Sequence, residues 1–329
     1  MDSARYTVRP FEDADYEPVA RINAVVDPQF SETAEDSRHW HDMLTREPGH
    51  IMQKWVAEEV GPGSIVAWGG LCHTLHNYHP DKYFLRAVVL PEHRRRGIGE
   101  ALYTLIEGVA LGRRAVCVWS TVREDDPASV HFQERHGFAP TRTVWASRLD
   151  LTHCDLSRLP DRSEEMTRRG IRFSTLADDG VDREDVLHRL YELGLRTWGD
   201  APRMGHYTPP TYETFLESTI RGPRFLPEGT FLASLGEKCI GWSSLEKVPG
   251  RVDVIDIGFT GTLPEYRGLG IATELKRRAI RYAQSRGFRS LTTNNDSLNP
   301  SIWAINEKLG FRREWVLING EKVTGPLVP

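Results

Sequence analysis

The chain has 329 residues, 39% hydrophobic and 27% charged, a length and balance that suit two globular domains and exclude a disordered or fibrous protein. Lys plus Arg number 42 against 46 Asp plus Glu, a net charge of −4 with no like-charge tail, which disfavours a nucleic-acid-binding role. The N-terminal MDSARYTVRPFEDADYEPV lacks a basic stretch leading into an apolar run, and no window is long and apolar enough to span a membrane, so a cytoplasmic chain with no membrane partner is expected.

Residues 5–9 read as a strand, 15–26 as a helix, and 55–60 and 65–71 as strands joined by a Gly-Pro-Gly turn. A strongly apolar strand at 83–90 leads to a helix at 100–111, a strand at 115–121 and a helix at 127–136 that stops at Gly137. The stretch 152–170 is polar, densely charged and interrupted by Pro160, and reads as a linker. After it the same order returns, with strands at 171–175, 230–235, 239–245 and 252–260 and helices at 182–194 and 273–286. A strand at 290–294, a helix at 300–309 and a hairpin over 315–325, turning at Asn319-Gly320, complete the chain.

That recurrence is literal in places. PEHRRRGIG at 91 and FQERHGF ending at 138 match PEYRGLGIA at 264 and INEKLGF ending at 311, at one offset of 173 residues. Arg94 falls on Arg267, Gly97 on Gly270, Pro127 on Pro300 and Gly137 on Gly310. The expectation is an α/β (α+β) protein with a domain at 1–151, a linker at 152–170 and a second domain at 171–329. Each domain would be a mixed sheet flanked by helices. The two would pack as the pseudo-dimeric halves of a monomer.

Four cysteines, Cys72, Cys117, Cys154 and Cys239, stand singly without metal-ligand spacing. Trp40, His73, His76 and His79 likewise lack acidic or cysteine partners at ligand spacing, so no metal is expected. The chemistry-bearing pattern is instead the turn after each apolar strand, Arg94 to Gly99 and Arg267 to Ala272. Small residues there let successive N–H groups face outward at a helix N-terminus, a cradle for pyrophosphate. No Lys-Ser/Thr follows the glycines and no GxGxxG is present, which excludes the Walker loop and a dinucleotide fingerprint. A tight connection with surface arginines is the plainer alternative, and its duplication in one context argues against it.

With these motifs the sequence resembles the GNAT superfamily of N-acetyltransferases, in particular its tandem, mycothiol-synthase-like members. The resemblance implies two GNAT-like domains, each a mostly antiparallel sheet with a splayed parallel strand pair, and acetyl-CoA as co-substrate in the splay. It places cofactor contacts at Leu90, Arg94, Arg95, Gly97 and Gly99 and at Leu263, Arg267, Gly268, Gly270 and Ala272. Asn299 matches the family's Asn-Pro, whereas its counterpart is Asp126.

The family's usual base is a carboxylate eight residues before the motif proline, which is Asp256 in the second half and Tyr83 in the first. Alternation puts Val254, Asp256 and Gly258 on one face, with Asp253 on the other as the weaker candidate. The family's usual acid, a Tyr four residues before the closing glycine, is replaced by Asn306 and Gln133. Neither amide donates a proton as an acid, although Asn306 could hydrogen-bond a thiolate or hold a water. The acceptor is expected among Trp198, Met204, His206, Tyr207, Tyr212 and Phe215, with Trp198, Tyr207 and Tyr212 as the contacts singled out. The first reading is an enzyme acting on a small-molecule primary amine, its chemistry in the second half. A non-catalytic acyl-CoA binder or sensor and a protein-modifying acetyltransferase stand beside it.

Overall fold

The computed structural model describes residues 6–28, 32–203 and 205–326. In chain order the first repeat gives β1 (Tyr6–Pro10), α1 (Tyr16–Val26), α2 (Ala34–Arg46), β2 (Met52–Glu59), β3 (Ile65–Cys72) and β4 (Lys82–Val89). It continues with α3 (Ile98–Gly112), β5 (Cys117–Arg123), α4 (Pro127–Arg135) and β6 (Ala139–Asp150). The second gives α5 (Ser163–Arg168), β7 (Ile171–Thr175), α6 (Leu176–Asp179), α7 (Glu184–Gly199), α8 (Tyr212–Phe215) and β8 (Phe225–Leu235). Then follow β9 (Lys238–Lys247), β10 (Val254–Thr262), α9 (Ile271–Ser285), β11 (Ser290–Asp296), α10 (Pro300–Leu309) and β12 (Arg312–Val323). No described helix is long and apolar enough to cross a membrane.

Packing divides these elements into two units, and the division exchanges strands between the repeats. One unit groups Met1–Thr141 with Met204–Thr208 and Ile318–Pro329, the other Arg142–Arg203 with Pro209–Leu317, over the residues described. The first unit orders its strands β1-β2-β3-β4-β5, with the end of β12 beside β5. There Thr324 donates from its amide to the Val116 carbonyl, and the Lys322 ammonium reaches Glu107 at 2.5 Å. The second unit orders β7-β8-β9-β10-β11-β6, with β6 antiparallel to β11 from Val144 to Asp150. Each unit therefore takes its last strand from the other repeat.

The 152–170 stretch, read above as a linker, packs within the second unit. Leu156 and Met166 belong to that unit's core, and the Arg277 guanidinium on α9 donates to the carbonyls of Leu159 and Pro160. The first unit buries Tyr83, Leu85, Leu102, Ile106 and Val118 in one cluster and Val19, Ile22, Val56, Trp68 and Val88 in another. The second unit's core gathers Leu190, Phe215, Leu232, Trp242, Ile240, Ile257, Leu275 and Ala279.

One expected element is corrected. Asn319-Gly320 does not turn; β12 runs straight through it. Gly320 is not in the left-handed region that a two-residue hairpin turn demands. A Cβ there would lie 3.1 Å from both Gln133 Oε1 and Phe138 Cβ, so the glycine serves a close approach to α4 instead.

Candidate active site in the second unit

Each unit has a parallel strand pair that parts before the turn. β10 pairs with β11 only over Val254 to Ile257, and β4 with β5 only over Lys82 to Phe84. The strand then ends in a hydrogen bond back to its antiparallel neighbour, from Leu263 N to Ile240 O and from Leu90 N to Val66 O. The arginine of each motif locks the turn by donating from Nε to a strand carbonyl at 3.2 Å, Arg267 to Thr262 and Arg94 to Val89. Gly270 (φ 89°) and Gly97 (φ 84°) enter α9 and α3 in the left-handed conformation without side-chain caps. The first amides of both helices are thus left for an anion, as a pyrophosphate requires.

The two turns differ. Gly268 takes a left-handed φ of 78° without cost, whereas its counterpart Arg95 holds φ 62°, a strain of about 1 kcal/mol for a residue with a Cβ. A Cβ on Gly270 would lie 3.3 Å from Met166 Cε and 3.9 Å from Arg162 Nη1, which brings a further arginine to the second turn from the 152–170 stretch. No described residue comes within 4 Å of the same point on Gly97. Ala272 and Gly99 lie in the first helical turns. Asn299 caps α10 by accepting from Ile302 N, and Asp126 caps α4 while pairing with Arg94 at 3.5 Å.

Asp256 lies on β10 one residue before the last parallel pair, opposite Glu246 of β9 and Thr292 of β11. The Thr292 hydroxyl donates to its carboxylate at 2.5 Å. Burial pushes the carboxyl up to about 6, against the hydrogen bond from Thr292 and the fields of Lys276 and Arg224, which hold it down. Lys276 on α9 is 1% exposed, and burial lowers its ammonium to about 7 although Asp256 supports the charge. At neutral pH the carboxylate is mostly ionised yet close to its midpoint, the condition in which a carboxylate both accepts and releases a proton readily.

Directly after Ile257 the register of β10 on β9 slips by one residue, a bulge at Gly258. A Cβ at Gly258 would run into the carboxyl end of the Glu246 side chain, which would have to move aside. The alternation expected through Val254, Asp256 and Gly258 therefore breaks at the glycine. β4 shows no register shift against β3, and the consequence is a second correction. Although Tyr83 matches Asp256 along the sequence, the residue opposite β5 in the corresponding place is Phe84, beside Trp119 at 4.9 Å. Tyr83 instead points into the α3-side core, 3% exposed, with its hydroxyl donating to Pro80 O. An aromatic pair in the first unit thus stands where the second has a hydrogen-bonded carboxylate.

Asn306 is fully buried on α10, and its amide donates to Asn295 Oδ1 on β11 at 3.0 Å. Among the described residues its Oδ1 has no hydrogen-bond partner, so the free function is an acceptor, suited to a thiol S–H. Trp198 meets Trp242, Phe215 and Phe259, the last on β10 just beyond the bulge. Tyr212 stacks on His188 at 3.9 Å within the α7–α8 packing. Tyr207 belongs to the first unit beside His76, whereas Trp198 and Tyr212 belong to the second. Met204 lies outside the described residues.

Sequence reading missed Glu246, Thr292, Lys276, Arg224 and Arg162. One signal was present: Lys276 lies next to the buried stripe Ile271, Leu275 and Ala279 on α9. The others become neighbours only through strand pairing or the path of 152–170.

Comparison with known proteins adds an independent line. The profile of the Acetyltransferase (GNAT) family matches residues 16–138 and 187–311. Mycothiol acetyltransferase of Geodermatophilus obscurus is 28% identical over 236 residues, covering 70% of each chain. That of Catenulispora acidiphila is 29% identical over 231 residues, 69% of this chain and 68% of the relative. Among solved structures, a tandem GNAT protein from the clavulanic acid biosynthesis pathway superposes with a TM-score of 0.75 at 19% identity, covering 98% of this chain and 100% of that one. A GCN5-related N-acetyltransferase from Sphaerobacter thermophilus gives 0.68 at 19% identity over 97% and 95%.

Proposed function

The chain belongs to the GNAT acetyltransferase family as a tandem N-acetyltransferase, and from that premise we propose that its second unit transfers an acetyl group from acetyl-CoA to a primary amine of a small molecule. The observation that carries this reading is the Asp256–Thr292 pair beside the Gly258 bulge, for which the first unit substitutes Phe84 and Trp119. The uncapped amides at Gly270, with Arg267 and Arg162 near them, would hold the pyrophosphate. When bound, acetyl-CoA supplies an activated acetyl thioester.

This chain's residues then do three things. Asp256 takes the proton of the incoming ammonium, directly or through water, so that the amine attacks in its neutral form. Thr292 holds the carboxylate in place by donating to one oxygen, which leaves the other free to receive the proton. Trp198, Trp242 and Phe259 wall the site with apolar surface and exclude water from it. Asn306 supplies an acceptor for the thiol product.

A small-molecule acceptor agrees with the relatives, named for mycothiol acetylation. The test is a time course of thiol release with a panel of small primary amines and a matched peptide panel. Turnover with free amines supports the reading. Acetylation of peptides alone assigns a protein substrate, and donor binding without turnover on either panel makes the protein an acyl-CoA binder.

A further inference from the structure

The face of the first unit that carries α1 and α2 holds a charge arrangement that the proposed chemistry does not use. Lys54 of β2 pairs with Gly70 of β3, and Gly70 pairs with Arg86 of β4, so the three share one cross-strand row on one face. Adjacent strands lie about 4.8 Å apart, which sets the two cations on either side of a position with no side chain. Lys54 is only 7% exposed, and its ammonium donates to Ser37 Oγ at 2.9 Å. It also lies 5.2 and 5.1 Å from the centroids of Phe11 and Tyr16. Arg86 stacks on Trp68 at 5.6 Å. Among the described residues neither cation makes an ion pair; Glu32 acts on Lys54 only through its field.

Burying an ammonium whose one opposite charge, Glu32, reaches it only through its field is costly, and the fold does not demand it. In the second unit the corresponding row is Thr230, Ser244 and Phe259, which carries no charge. Arg86 also lies two residues past the last β4–β5 pair, where the strands have parted. We propose that the first unit holds a second ligand site in which Lys54 and Arg86, on either side of Gly70 in one cross-strand row, bind the carboxylate or phosphate group of a small molecule. The Phe84–Trp119 pair flanks the row and supplies apolar surface for the rest of that molecule.

Burial lowers the Lys54 ammonium to about 8, so at that pH it is half charged and an incoming anion draws a proton onto it. The other groups facing it are silent there. Burial holds His41 below its usual value, pushes Tyr16 up and pushes the Cys72 thiol up to about 12; Arg38, Arg86 and Glu32 are the other charged groups on this side.

The test is calorimetric titration of the full chain at pH 8 with inorganic phosphate in one arm and acetate in the other, in two buffers of different ionisation enthalpy. Saturable binding of either anion with proton uptake is expected, and the arm that binds identifies the group. Lys54→Met and Arg86→Gln should each weaken it by about ten-fold or more, with proton uptake lost in Lys54→Met. A Cβ at Gly70 would meet its nearest neighbour at 3.4 Å, an ordinary contact, so Gly70→Glu can place a tethered carboxylate between the cations. That variant should melt higher than the parent and bind neither anion. The proposal falls if neither anion binds saturably, if the variants bind as the parent does, or if Gly70→Glu lowers the melting temperature.

Discussion

Replacing Asp256 by Asn separates its chemical role from its structural one, because the two effects have opposite sign. The Asn Oδ1 still accepts from Thr292, so the local geometry survives, but the proton acceptor is gone. Turnover should fall by roughly 10²- to 10⁴-fold with donor affinity unchanged, and part of the rate should return at higher pH, where more amine is already neutral. Stability should move the other way. A carboxyl raised from 3.8 to about 6 by burial favours folding when protonated, so its contribution is greatest below pH 4 and declines as pH rises to 6. A rise of that size limits the cost of the ionised group at neutral pH to about 3 kcal/mol at most. Asn carries no such cost. The variant should therefore melt above the parent at pH 8 and converge with it near pH 4, as thermal melts across that range would show. Thiol release under saturating donor gives the rate. Normal turnover in the variant would place the base elsewhere, and melting curves that differ equally at both pH values would refute the burial argument.

Three further outcomes follow from the same geometry. Gly270→Glu inserts a side chain against Met166 and a negative charge into the phosphate cradle, so one acetyl-CoA site should vanish from a calorimetric titration, while Gly97→Glu reports whether the first unit binds as well. Gly258→Val forces Glu246 away or flattens the bulge; activity should be lost with donor binding retained, and wild-type kinetics would remove the bulge from the argument. Deleting residues from 318 onward removes the strand beside β5 and the Lys322–Glu107 pair, so hydrogen exchange should rise in β5 and α3. Unchanged protection there would show that the exchanged strand is dispensable to the first unit.

Much of the fold was legible because its signals are local. The apolar run before Pro91, the glycines at Gly97 and Gly270, and the 173-residue repeat each act within a few residues of one another. α2 escaped notice because it has only four apolar residues, Ala34, Trp40, Met43 and Leu44; its start at the Thr33–Asp36 capping box was the available cue. β6 was missed because the sequence pattern gave no warning that its residues pair in the second unit. Asn319-Gly320 misled for the converse reason: a strong turn dipeptide was overridden by the close packing of α4 on Gly320.

The asymmetry between the halves has a single-residue origin that one-dimensional alignment hides. A gapless offset equates Asp256 with Tyr83, and it does so because an inserted residue in β10 is matched by a one-residue shift in its pairing with β9 rather than by a gap in the motif. The bulge turns Asp256 to face Thr292, in the place of Phe84, while Phe259 beyond it keeps the place of Arg86 that the offset gives it. In the unbulged strand the side chain at 83 faces the α3 core, where a carboxylate would be buried without a partner and tyrosine finds Pro80. Restoring a carboxylate at Tyr83 therefore should not create a second active centre. Asp at Phe84, facing Trp119, is the substitution that would bring the first unit's strand pair nearer to the arrangement of the second.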